Sequence, residues 1–320
     1  MRLRAVFCGL LLAAASSASA GERQDSLDWL KVVAFAAHQT DYSGIFVYQY
    51  DSHVETSRIF HVVEADGEYE KLESLDGPKR EIVRHHGQVW CLINHKMMQM
   101  DSQQVRNMFP ALLPEQLTAL SENYHARQVG TERVAGYNTQ VIIFNPRDNL
   151  RFIHKMWAHT DSGLLLKAAV LGDKNRVIEQ YTFTQLQIGG DIERSWIGEA
   201  IRNHEPSAPI LGQAKSSIPV NSGWVVDALP AGFKKTMEIE RQMRGRPEPV
   251  TQIVYSDGLS AISIFIEPDD GDEDSKDGLI SRGAVNLHHK VVGKHLITVV
   301  GEVPPRAVIQ VLDSIRHNGK

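Results

Sequence analysis

Two cysteines among 320 residues are too few for a disulfide framework or a cysteine-built metal cluster. One of them, Cys8, falls in a segment that reads as a leader. Met1-Arg2-Leu3-Arg4 supplies a positive start, Ala5 to Ala15 an apolar run, and Ala18-Ser19-Ala20 a small-residue cleavage signal. Residues 1–20 are therefore expected to be a cleavable signal peptide, and Cys91 is left alone. Its setting, Val89-Trp90-Cys91-Leu92-Ile93, predicts a buried and inert thiol. After the leader no stretch approaches the ~18 consecutive apolar residues of a membrane span, so the mature chain is not expected to cross a membrane. Excess positive charge is missing too. Arg2 and Arg4 leave with the leader, which lowers the basic count from 34 to 32 against 39 acids, a net −7; a generally basic nucleic-acid binder is excluded.

Catalytic signatures are also absent. There is no G-x-S-x-G elbow, P-loop, G-x-G-x-x-G or H-E-x-x-H, and a non-enzymatic protein is expected. Of the fourteen histidines, His85-His86, His288-His289 and His295 invite a metal reading. Adjacent strand residues point to opposite faces, so neither pair is expected to close on one ion. Asp270-x-Asp272-x-Asp274 imitates half of a calcium loop, but Ser275 stands where glycine is needed and Ser281 where a bidentate Glu is needed. Glu267 to Asp277 reads instead as a solvated acidic loop. No metal or cofactor follows from these motifs.

What is present is β-structure in two parts. Ser26 to His38 carries Leu27, Leu30 and Ala34 at helical spacing after a capping Asp25-Ser26. Short β-branched and aromatic segments follow at Gly44 to Asp51, Thr56 to Glu64, Tyr69 to Leu75, Glu81 to His86 and Val89 to Ile93, with Asp66-Gly67, Asp76-Gly77-Pro78 and His86-Gly87 as turns. Leu113, Leu117, Leu120 and Tyr124 form one helical stripe, with Pro114 suited to its first turn. Strands resume at Thr139 to Asn145, Arg151 to His159, Leu164 to Leu171 and Val177 to Gln187. Nine strands are too many for one flat layer. The α+β fold expected for residues 21–202 is a strongly curved antiparallel sheet, an open half-barrel with helices on its concave side. Asn203 to Gly223, with Pro206, Pro209, Pro219 and four serines, reads as a linker. Residues 224–320 read as a small α+β domain, an antiparallel sheet with a C-terminal helix opened by Pro304-Pro305 and faced by Val308, Val311, Leu312 and Ile315.

Two sets of residues are candidates for binding. A curved sheet can fill its concave face with its own helices or leave a groove for acyl chains. The candidate lining is Phe46, Tyr48, Trp90, Phe144, Phe152, Trp157, Leu164, Leu166 and Phe183. Lys234, Lys235, Arg241, Arg244 and Arg246 fall within thirteen residues; Lys234, Lys235, Arg241 and Arg244, with Arg282 and Lys294, are the candidate surface for an acidic partner.

Several runs go beyond pattern. Tyr42-Ser43-Gly44-Ile45-Phe46-Val47-Tyr48, Tyr69 to Pro78 with Arg80-Glu81, Arg133-Val134-Ala135-Gly136 and Ser162 to Lys167 resemble the N-terminal domain of the MucB/RseB family. Tyr255 to Ser260, Ser263 to Glu267 and Val299 to Pro305 resemble the C-terminal domain of the same family, in the same order along the chain. Asn149 to Trp157 departs from the family pattern. The resemblance implies a periplasmic negative regulator of the envelope-stress response. Such a protein binds the periplasmic segment of a transmembrane anti-sigma factor, shields it from site-one proteolysis and restrains an extracytoplasmic-function sigma factor. It further implies a large domain similar to LolA/LolB lipoprotein carriers, and release of the partner by lipid or lipopolysaccharide acyl chains. The alternative is a periplasmic lipid or lipoprotein carrier with no regulatory partner. A homo-oligomer is compatible with either reading.

Overall fold

The computed structural model describes residues 28–93, 96–100, 108–198, 218–242, 248–269, 271 and 278–318. The expected leader, Ser26 and Leu27 of the expected first helix, residues 203–217 of the expected linker, Arg244, Arg246 and most of the expected acidic loop lie outside them. Among the described residues no helix is long and apolar enough to cross a membrane.

Eleven strands make one antiparallel sheet: β1 (Tyr42–Tyr50), β2 (His53–Glu64), β3 (Gly67–Ser74), β4 (Arg80–His85), β5 (Gln88–Ile93), β6 (Lys96–Met100), β7 (Tyr124–Val134), β8 (Tyr137–Pro146), β9 (Ile153–His159), β10 (Leu165–Leu171) and β11 (Val177–Ile188). Their order is β6-β5-β4-β3-β2-β1-β11-β10-β9-β8-β7, two meanders joined where β1 pairs with β11. The sheet curls hard. The Tyr137 hydroxyl on β8 donates to the Leu186 carbonyl on β11 at 3.3 Å, although two strands lie between them and neighbours in a flat sheet stand ~4.8 Å apart.

Strand alternation then sorts the side chains. Tyr42, Phe46, Tyr48 and Tyr50 share one face of β1, and the register carries that face through Ile59 and Leu72 on one side and Phe183, Ala168, Met156, Ile142 and Phe144 on the other. Helix α1 (28–39) lies against this face. Leu30, Val33, Ala34 and Ala37, at helical spacing, are buried in one core with Tyr42, Phe46, Phe144 and Phe183. The chain 108–123 covers the rest, with Phe109 wedged among Phe46, Tyr181 and Phe183. The expected second helix is short: only α2 (Thr118–Asn123) is helical. Leu113, Leu117, Leu120 and Tyr124 are all buried as the stripe predicts. Pro110 and Pro114 remove donors and bias the residues before them toward extended backbone, and Tyr124 already begins β7.

Gly44 is where this sheet tolerates no side chain. A Cβ there would lie 2.5 Å from the Gln185 carbonyl oxygen and 2.9 Å from the Phe183 ring, next to the register shift between Ile45 and Phe46. Backbone cannot yield cheaply, so Gly44→Ala is expected to destabilise the protein by roughly 1–3 kcal/mol. Urea unfolding with an unchanged midpoint would contradict this.

The C-terminal lobe has a seven-stranded sheet of β12 (Ile218–Pro219), β14 (Lys234–Arg241), β15 (Val250–Ser256), β16 (Ala261–Pro268), β17 (Gly278–Arg282), β18 (Val285–Val292) and β19 (His295–Gly301). A small ribbon of β13 (Trp224–Val226) and β20 (Ile315–His317) stands beside it. The last helix, α3 (Pro305–Asp313), has Pro305 at its first position, where the missing N–H costs nothing. Its Ala307, Val308, Val311 and Leu312 are buried with Ile253, Tyr255, Ile262, Ile264, Ile297 and Val299. The opposite face of that sheet, carrying Gln252, Val254, Ser256 and Ser263, turns toward the large lobe.

Candidate functional site

Between the lobes lies a cavity of about 830 Å³, within the range of small-molecule sites. Both sheets contribute to its wall. The large lobe supplies Phe46, His154, Met156, Ala168, Glu179 and Tyr181, and the small lobe Met237, Gln252, Val254, Ser256 and Ser263; Phe109 and Leu112 close one side. The lining is mostly apolar, but His154 Nε2 and Gln252 Oε1 are buried and have no hydrogen-bond partner among the described residues. Burial favours neutral His154 and pulls its pKa down to about 4. Burial also raises Glu179, with nearby Glu302 adding to the effect, against the lowering bonds it accepts.

Polar contacts clamp the lobes together at two places. At one, Arg151, between β8 and β9, donates Nε–H to Asp257 Oδ2 at 2.6 Å, with both side chains fully buried. The same guanidinium donates to Asp148 and to the Ala231 carbonyl and lies over the rings of Phe233 and Tyr124. Asp257 also accepts from the Tyr124 hydroxyl at 3.1 Å and from the Ser260 amide at 2.8 Å. The carboxylate is thus fully surrounded by donors, as a buried charge requires.

At the other clamp, the β17–β18 turn presses on the rim of the large sheet. Glu179 Oε2 accepts from the Ala284 amide and the Tyr48 hydroxyl, each at 3.1 Å. Arg282 donates Nε–H to the Tyr50 hydroxyl at 2.6 Å and stacks over its ring. The turn residue Gly283 has φ +58, and a Cβ on it would lie 2.9 Å from Glu179 Oε2 and 3.2 Å from Tyr50 Cβ. The approach is open only to glycine.

The groove candidates separate by face. Phe46 lines the cavity. Tyr48 stands at its rim, stacked on Tyr181 and bonded to Glu179. Phe144, Phe183, Leu164 and Leu166 are buried in the main core, where α1 and the 108–123 chain fill the concave space, and Phe152 is buried beside Arg151. Trp90 and Trp157 do not face the cavity. Trp90 pairs with Val83 and packs with Val62, Tyr69 and Trp196 on the opposite face. Trp157 is odd-numbered on a regular strand whose Met156 faces the cavity, so it points away, beneath Lys155 and Lys167, and donates to Glu132. Cys91 is buried.

Of the five described basic candidates, three are engaged within the chain. Arg282 is committed to Tyr50, Lys235 is paired with Glu238 at 2.5 Å, and Arg241 lies over Phe265. Lys234 and Lys294 are exposed. Alternation along β14, with a register shift between Lys235 and Met237, scatters charges that the sequence lists together.

Sequence reasoning missed Arg151, His154, Glu179, Gln252 and Asp257. A signal existed for Asp257, which lies within the Tyr255 to Ser260 run that resembles the family. Arg151 and His154 lay within the stretch noted as departing from the family pattern. Nothing in sequence marks Gln252 or Glu179.

Comparison with known proteins follows the same two parts. Residues 25–201 match the MucB/RseB N-terminal domain and residues 219–316 the MucB/RseB C-terminal domain. The sigma factor AlgU regulatory protein MucB of Pseudomonas aeruginosa is 32% identical over 96% of each chain. Among solved structures, the MucA/MucB complex of Pseudomonas aeruginosa aligns over 92% of this chain and 100% of that one, at 30% identity and a TM-score of 0.73. A crystal structure of MucB aligns over 92% of this chain and 98% of that one, at 30% identity and a TM-score of 0.63. The chain belongs to the MucB/RseB family of periplasmic, non-catalytic regulators of sigma factors.

Proposed function

We propose that this protein, exported with loss of residues 1–20, binds the periplasmic segment of a transmembrane anti-sigma factor and shields it from site-one proteolysis. An acyl-chain ligand of lipid or lipopolysaccharide type, entering the cavity between the lobes, releases that segment. The observation that carries this reading is the cavity itself, because its wall is divided between two lobes held together by polar clamps. A ligand that fits one spacing of the lobes better than another shifts the equilibrium between them; one indifferent to the spacing shifts nothing. If the anti-sigma segment prefers a different spacing, each ligand weakens the other by the same factor.

Two further observations support it. MucB has been crystallised with MucA, and this chain superposes better on that complex than on MucB alone, with TM-scores of 0.73 and 0.63 at equal identity and coverage of this chain. The natural reading of such a pair is one fold with more than one lobe arrangement. Lys234 and Lys294, exposed and outside the contacts that engage the equally exposed Lys235 and Arg282, are the charges we assign to an acidic partner.

The test is a titration of the mature protein with lipid A fragments while its affinity for the anti-sigma segment is measured. Saturating lipid is expected to weaken that affinity by tenfold or more, about 1.4 kcal/mol of coupling. Val254→Trp, which fills the cavity from the small-lobe wall, is expected to abolish the lipid effect while partner binding persists. Unchanged affinity at saturating lipid would refute the release mechanism.

A further inference from the structure

The turns at one end of the large sheet hold a cluster unrelated to the cavity. Asp66 lies in the β2–β3 turn, His85 is the last residue of β4, and His86 opens the β4–β5 turn. Alternation along a strand would separate the two histidines, but β4 ends at His85. His86 has φ +49 and Gly87 φ +69, the left-handed pair of a tight hairpin turn. That backbone swings the His86 ring over its neighbour, with ring centroids 3.7 Å apart. Since β3 and β4 pair with Tyr69 opposite His85, the two turns are adjacent. One ligating atom from each of Asp66, His85 and His86 falls within 4.8 Å of the others.

We propose that Asp66, His85 and His86 bind a divalent first-row transition metal ion, zinc in the first instance, at the tip of these two hairpins. Two imidazoles and one carboxylate are a nitrogen–oxygen donor set suited to zinc, copper or nickel and poorly suited to calcium or magnesium. Three protein ligands leave a coordination position for water or a further ligand.

The surroundings hold the ligands as metal sites require. His85 Nδ1 donates to the Glu68 carbonyl at 3.3 Å, which leaves Nε2 as the free lone pair. The Tyr69 hydroxyl donates to Asp66 Oδ2 at 2.8 Å, which leaves Oδ1 for the ion. The Tyr69 ring stacks on His85 with centroids 3.6 Å apart and planes 14° from parallel. One tyrosine therefore orients two of the three ligands. Asp66 and His86 are exposed, so the ion can enter and leave without unfolding. By contrast His288 and His289 follow each other on regular β18, where His288 is bonded to the Gly278 carbonyl.

Calorimetric titration of the metal-stripped mature protein with zinc should show one equivalent bound per chain, undisturbed by millimolar magnesium or calcium. His86→Ala is expected to weaken binding by tenfold or more, as is Asp66→Asn. His288→Ala, as a control, should leave it unchanged. The exposed His86 is the decisive position, because its removal leaves the sheet intact; thermal unfolding without metal should show that variant matching the parent. Replacement of zinc by cobalt should give visible absorption bands that His86→Ala loses. No saturable zinc binding, or binding untouched by His86→Ala and Asp66→Asn, would overturn the assignment.

Discussion

Arg151→Ala is expected to destabilise the protein by about 3–5 kcal/mol, because it leaves Asp257 as a buried charge without its ionic partner. Both side chains of the pair are fully buried. Tyr124 and the Ser260 amide would still donate to Asp257, but neither carries a compensating charge. The bond to the Ala231 carbonyl and the stacking on Phe233 vanish with the guanidinium. These contacts join the lobes, so the loss is one of docking as well as stability. At roughly 2–4 °C per kcal/mol for a domain of this size, calorimetry should find the main transition lowered by at least about 6 °C. Arg151→Lys should recover only part, since an ammonium cannot reproduce the fork that serves Asp257, Asp148 and Ala231 at once. A midpoint within a degree of the parent would show that the pair does not hold the lobes.

Acid is expected to weaken the protein through His154. Its folded-state pKa of about 4 lies below its ordinary value of 6.5, with burial as the cause and the Asp257 charge opposing it. As pH falls from about 6.5 toward 4, the unfolded chain takes up a proton that the folded chain refuses, so stability drops. The gap corresponds to about 3 kcal/mol. Glu179 works in the other direction. Burial raises its pKa, so its contribution is largest at low pH and is lost as pH rises through its folded-state value. His154→Gln should flatten the stability profile between pH 6.5 and 4, measured by urea unfolding at each pH. A profile equally steep in the variant would place the acid sensitivity elsewhere. The test also bears on the cavity, since His154 Nε2 is buried there without a partner among the described residues.

Some of the architecture was legible because a single period carried it. The face of α1 came from Leu30 and Ala34 at helical spacing, and the α3 face from Val308, Val311 and Leu312; all are buried. The central strands came from β-branched and aromatic runs between turns. β7 was not legible. Its burial is confined to its two ends and its middle is exposed, so an edge strand of polar residues left no apolar alternation to read. The second helix is shorter than its stripe suggests for the opposite reason: the stripe is real, but two prolines keep most of that segment non-helical while the same leucines are buried.

The binding residues divide the same way. Aromatic content marked the large lobe as rich in material for a pocket, yet the face of each residue depended on register. Met156 and Trp157 are neighbours in the chain and lie on opposite sides of the sheet. The histidine pair illustrates the converse. Alternation argued that His85 and His86 diverge, and one left-handed residue at the end of β4 brings their rings together.

The sequence by itself determined the family and its periplasmic setting, the two-part β-rich organisation and the absence of known catalytic signatures. Those follow from local chemistry: hydrophobic period, turn residues, and motifs repeated in order along the chain. Only the tertiary structure decided that Arg151 meets Asp257 across 106 positions, that Glu179 meets the Ala284 amide across 105, and that a cavity opens between the two sheets. The physical reason is that burial and partnership of polar groups are properties of packed surfaces. A carboxylate or an imidazole looks the same in sequence whether it faces water, an arginine or an empty space.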